Sequence, residues 1–116
     1  MVLIIAEKPS LGRNIAAALG DFKRRDGYLE SKDCLISWAF GHLFSLADIE
    51  YYNPRPEGNS YWTMANLPCF PEEFKYELRQ DRDGQADGGI IKQFNVLESL
   101  CNRADVDVIV NAGDAD

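Results

Sequence analysis

Residues 2–20, VLIIAEKPSLGRNIAAALG, decide the fold. Val2 to Ala6 is an unbroken apolar run with β-branched members, the pattern of a strand buried on both faces of a parallel sheet. It ends at Glu7. Pro9 and Ser10 are helix-start signals, with Ser10 expected to cap the N-terminus. Leu11, Ile15, Ala18 and Leu19 recur at helical spacing, and Gly20 is a natural stop. Strand, short turn and helix in this order predict an α/β fold.

Downstream, GYLESKDCLISWAFGHL (27–43) alternates apolar and polar residues, which predicts a hairpin or sheet edge. From Asp48 to Pro71 the chain carries four of its five prolines among Asn, Gly and aromatic residues, so an irregular insertion is expected over 48–71. EFKYELRQ (73–80) alternates again and reads as a strand, and DRDGQADGG (81–89) is a polar, Gly-rich break. Ile90, Phe94, Leu97 and Cys101 then mark one face of an amphipathic helix over Gly89 to Arg103. A last strand is expected over Val106 to Val110. There is no internal repeat and no low-complexity tract.

That strand belongs to DVDVIVNAGDAD (105–116), which delivers Asp114 and Asp116 one residue apart. On an extended backbone such residues point the same way with Cβ atoms roughly 7 Å apart. At an effective dielectric near 20 their charges repel by about 2 kcal/mol, which open water or a metal ion would offset. In α/β sheets functional groups gather outside the carboxyl ends of the strands. If the first and last strands are parallel neighbours, about 4.8 Å apart, Glu7 meets Asp114 and Asp116 on one rim. Three carboxylates there make a hard-oxygen site suited to Mg²⁺ or Mn²⁺.

The totals set limits. The 116 residues fit one small domain or a piece of a larger one. With 12 Lys plus Arg against 19 Asp plus Glu, the formal charge is −7. That balance argues against gripping a phosphate backbone by bulk electrostatics, so any nucleic-acid contact must be local, metal-assisted or made by other segments. Cys34, Cys69 and Cys101 are odd in number and far apart, with no CxxC and no His pair for zinc. Buried, reduced thiols in the cytoplasm are expected. The five-residue apolar run before Glu7 is too short for a signal peptide or a membrane span.

Three blocks, IIAEKPSLGRNIAAAL near the start, GHLFSL in the middle and VNAGDAD at the end, resemble the Toprim domain of type IA DNA topoisomerases, most closely the topoisomerase III branch. They come in the family's order and spacing and span nearly the whole chain, 1–116. The resemblance implies a Rossmann-like parallel sheet flanked by helices, with an irregular or hairpin insertion. It implies that Asp114 and Asp116 hold Mg²⁺, with Mn²⁺ as a possible substitute. Glu7 would share in metal binding and in proton transfer as a DNA phosphodiester is broken and resealed. Lys8 matches the lysine that would neutralise the scissile phosphate. The family pattern continues with Arg-Glu-Gly, absent here, and its tyrosine nucleophile lies in a later domain. The expectation is therefore a truncated, N-terminal portion of a longer ATP-independent enzyme acting on single-stranded DNA, inactive by itself. A helicase partner is compatible with the family, and no membrane is implied.

Blander readings stand beside these. Glu7 can be a solvated strand end, the aspartates loop acids or an N-cap, Lys8 an exposed charge, and Arg13 a solvated helix position. His42 is either a turn histidine or part of the active-site rim. Tyr51, Tyr52, Tyr61 and Trp62 suggest base stacking, but beside Pro54, Pro56 and Pro68 packing of an irregular loop is the better expectation. Two rival functions keep the carboxylates: a Toprim module of a primase, nuclease or recombination protein, and a haloacid-dehalogenase-like phosphohydrolase with a nucleophilic first Asp.

Overall fold

A computed structural model describes residues 1–47, 49–52, 64, 69–81 and 85–115, without the side chains of residues 49 and 50. The chain divides into two compact units, one formed by Met1–Leu43 with Arg79–Asp116 and the other by Phe44–Leu78.

The first unit is α/β, as the opening stretch requires. Strand β1 (Val2–Ala6) leads through Glu7 and Lys8 into helix α1 (Pro9–Leu19). The N-cap is Lys8, not Ser10, and it makes no side-chain capping bond. Pro9 explains the difference: its fixed φ suits the first helical position, where no N–H is needed, so the helix begins two residues earlier than a Ser10 cap would place it. Strands β2 (Lys23–Arg24), β3 (Tyr28–Glu30) and β4 (Cys34–Trp38) follow. β2 pairs with β3 and β3 with β4, both antiparallel, which is the hairpin expected in this region. β4 then runs parallel to β1, with Ala6 opposite Trp38.

The second unit contains β5 (Phe44–Leu46), the short α2 (Ile49–Tyr52) and β6 (Tyr76–Leu78), with β5 and β6 paired antiparallel. Most of the 48–71 insertion lies outside the described residues. Within the described part, Tyr51 and Tyr52 meet edge to face at 5.4 Å, and the Tyr52 hydroxyl accepts the Lys75 N–H at 2.8 Å. Those contacts are packing, the reading preferred for these two aromatics. Tyr61 and Trp62 lie outside the described residues.

Back in the first unit, α3 (Gly88–Cys101) is capped by Asp87, whose carboxylate accepts the N–H groups of Gly89 and Ile90. Its buried residues are Ile90, Gln93, Leu97 and Leu100. The apolar stripe is thus rotated from the expected Ile90/Phe94/Leu97/Cys101 face, and Cys101 is exposed. The last strand, β7 (Val108–Ala112), starts two residues later than its apolar run. Val106 is instead packed against the core, with its N–H bonded to the Arg103 carbonyl in a turn.

The five strands lie in the order β2-β3-β4-β1-β7, with β7 parallel to β1. Side chains alternate across such a sheet. On one face Leu3, Leu35 and Leu100 form the core, with Ile5, Tyr28 and Val96 around them. On the other, Ile36 and Trp38 meet Gly12 of α1. The connection through α1 thus leads from β1 toward β4 across one face, and the one that ends in α3 leads past β1 to β7 across the other, which makes the β1–β7 boundary a topological switch point. No helix among the described residues is long and apolar enough to cross a membrane.

Candidate functional site

The switch point carries a cavity of about 290 Å³, lined by Ile5, Ala6, Glu7, Ala39, Gly41, His42, Asn111, Gly113 and Asp114. All come from the carboxyl ends of β1, β4 and β7 or the turns just beyond them. The register explains why two carboxylates share it. Ala6 pairs with Ala112, so Glu7 and Gly113 leave the sheet side by side, and Asp114 follows. Glu7 is half-buried and Asp114 exposed.

Two backbone devices shape the walls. The loop after β4 stays attached to β1: the Ala39 N–H donates to the Ala6 carbonyl and the Gly41 N–H to the Glu7 carbonyl, each at 2.9 Å. Gly41 has φ +77°, a left-handed conformation open to glycine at little steric cost. A Cβ built there would meet only Arg79 Nη1, at an ordinary contact distance of 3.9 Å, so the demand at this position is conformational rather than spatial. Across the cavity, the Asn111 side-chain oxygen accepts the Gly113 N–H at 3.0 Å. Such an Asx turn bends the chain off the strand end and sets the direction in which Asp114 leaves.

Of the residues singled out from sequence, Glu7, Asp114 and His42 line this cavity. Lys8 is exposed at the α1 N-cap, and Arg13 is on the exposed side of α1. Asp116 lies outside the described residues. Among the described residues no three His, Cys, Asp or Glu side chains are grouped so as to hold a metal ion. Two carboxylates and water are nonetheless donors of the kind Mg²⁺ takes, because it keeps several waters and often binds through one or two carboxylates. Gly41 and Asn111 were missed in the sequence reading. The Asn-Ala-Gly run after an apolar strand is the signal that was available for Asn111.

No family model matches the chain. DNA topoisomerase 3 of Bacillus subtilis (strain 168) is 38% identical over 113 residues, covering 97% of this chain and 14% of that protein. Nearly the whole chain is thus similar to a part of that protein. DNA topoisomerase 3 of Bacillus anthracis is also 38% identical with the same coverage, and that of Staphylococcus epidermidis is 37% identical over 115 residues. The chain spans about 14% of the length of the relatives it matches. The topoisomerase III-like similarity takes in β1, the GHL loop and β7, the three segments that supply the cavity.

Proposed function

We propose that this chain is the metal-binding, catalytic Toprim portion of a type IA, topoisomerase III-like enzyme. In this reading the longer protein cleaves and rejoins single-stranded DNA without ATP, through a tyrosine outside these 116 residues, in the cytoplasm. The observation that carries it is the placing of Glu7 and Asp114 in one cavity at the switch point, in a chain similar throughout to DNA topoisomerase 3.

Glu7, Asp114 and Asp116 would hold Mg²⁺, or Mn²⁺ in its place. When bound, the ion would supply positive charge that positions and neutralises a phosphate. The chain's own residues have separate tasks. The Glu7 carboxyl would hand a proton to, or take one from, the oxygen that leaves or attacks phosphorus. The Lys8 ammonium, one residue on and exposed, would offset charge on a non-bridging phosphate oxygen. His42 is placed to contact whatever fills the cavity.

The test is made on the longer protein that contains this chain. It is expected to relax negatively supercoiled plasmid with Mg²⁺ and no ATP, and to leave a covalent DNA adduct on a tyrosine beyond residue 116. A protein showing neither relaxation nor adduct overturns the proposal and favours a primase or nuclease module instead.

A further inference from the structure

Gln93 and Ser37 are buried polar side chains, 4% and 0% exposed. Gln93 sits on the α3 face that otherwise carries Ile90, Leu97 and Leu100. Its Nε2 reaches three acceptors: the Trp38 carbonyl at 2.7 Å, Ser37 Oγ at 3.0 Å and the Gly27 carbonyl at 3.1 Å. Two amide hydrogens are shared among these three, with the shortest contact to Trp38. The Ser37 hydroxyl in turn donates to the Gly27 carbonyl at 2.9 Å. Gly27 has φ +83°, and a Cβ there would lie 3.0 Å from both Val96 methyl carbons, so the turn before β3 is pressed onto α3 beside the amide.

A leucine would fill much of this space without a buried polar group to satisfy. The amide does something leucine cannot: it fixes a backbone carbonyl. Trp38 is the last residue of β4, and the next bonds along the chain are Ala39 N–H to the Ala6 carbonyl and Gly41 N–H to the Glu7 carbonyl. The run ends at Glu7, Gly41 and His42, which line the cavity.

We infer that Gln93 is a positioning residue for the rim site: by holding the Trp38 carbonyl it sets where the Ala39–His42 loop leaves β4, and so keeps the Gly41–Glu7 bond and His42 in place. Its importance for catalysis rests on the function proposed above, but the geometry is measurable without it. Ser37 braces the amide from the side, and the carbonyl of Gly27 is the second anchor.

The experiment is amide hydrogen exchange by NMR on the 116-residue chain, comparing Gln93→Leu with Leu100→Ala. Leu100 is on the same helix and is buried in the core with Leu3 and Leu35, so its truncation loosens the fold without removing a bond to the Trp38 carbonyl. In Gln93→Leu, exchange at Ala39 and Gly41 is expected to accelerate about tenfold or more beyond any change shared by the β1 amides. In Leu100→Ala the ratio should stay at its wild-type value. An unchanged ratio in Gln93→Leu, or an equal rise in Leu100→Ala, overturns the inference. Should Gln93→Leu fail to fold, Gln93→Asn is read in the same way, because it keeps the amide but falls one methylene short of Trp38. A wild-type chain whose rim amides ignore added Mg²⁺ counts against the proposed metal site and leaves the exchange comparison standing.

Discussion

The Gly41 N–H donates to the Glu7 carbonyl at 2.9 Å, so the loop bearing His42 is tied to the residue that brings a carboxylate to the cavity. The bond depends on a left-handed backbone at Gly41, φ +77°, which costs an ordinary residue roughly 1–2 kcal/mol. Gly41→Ala is therefore expected to lose about 1 kcal/mol in urea denaturation, although nothing stands in the way of the methyl group. An unchanged midpoint would show that the loop relaxes without strain.

Helix α3 begins on two glycines, Gly88 and Gly89, which are poor helix formers. Asp87 compensates by accepting the N–H groups of Gly89 at 2.9 Å and Ile90 at 3.3 Å. Loss of a side-chain cap typically costs about 1 kcal/mol. Asp87→Ala should destabilise by about that amount, and Asp87→Asn by distinctly less, since the amide oxygen still accepts. Equal losses in the two variants would mean that charge, not the hydrogen bond, makes the cap.

The contrast between β1 and α3 shows which parts of this fold were legible in the sequence. β1 and α1 are local patterns, a β-branched run and a helical repeat bounded by Pro9 and Gly20, so their positions follow from spacing alone. On α3 the sequence marks Ile90 and Leu97, which are buried, but not Gln93 or Leu100, because Gln93 is polar and its burial depends on acceptors from β4 and Gly27, far away in the chain. β7 slipped by two residues because Val106, apolar like its neighbours, is used in the core before pairing starts. Glu7 and Asp114 were legible as charges at strand ends. Gly41 acts through its backbone and leaves little trace in composition.

Arg103 and Asp105 form a two-point ion pair, with Nε–Oδ1 at 2.9 Å and Nη2–Oδ2 at 2.7 Å. The hydrogen bond from Arg103 holds the Asp105 carboxyl below its ordinary value. A carboxylate depressed in the folded state adds stability above its unfolded value, near pH 4, and that contribution disappears as pH falls through the lower folded value. Thermal melts should therefore separate wild type from Asp105→Asn at pH 6, with the gap closing toward pH 2. Because the pair is exposed, the gap should also narrow in high salt. A gap that persists at the acid end would rule out this linkage.

Burial pushes the Cys34 thiol up from its ordinary range, and its sulfur lies 3.6 Å from the Leu35 carbonyl. Cys101, contrary to the expectation of buried thiols, is exposed. Thiolate is the reactive form, so iodoacetamide at pH 8 should label Cys101 well before Cys34, as followed by peptide mass spectrometry. Faster labelling at Cys34 would contradict both its burial and the direction of its shift.

The carboxylates of the rim provide the last expectation. Mg²⁺ dehydrates reluctantly and usually relies on substrate phosphate as well as on one or two carboxylates, so the 116-residue chain should bind it weakly in calorimetric titration. Asp114→Asn or Asp116→Asn should abolish that binding, and unchanged heat in the double variant would place any metal elsewhere. Glu7→Gln distinguishes ligation from proton transfer. In the longer protein it should depress relaxation by about 10² to 10⁴, the usual worth of a general acid or base, while leaving DNA binding nearly intact, because the lost group acts in the transition state rather than on ground-state grip. If activity stays within about twofold of wild type, Glu7 has no catalytic role. If instead DNA affinity and activity fall together, Glu7 is needed to build the binding surface, and the proton must be handled by another residue of the cavity, with His42 the first to be replaced.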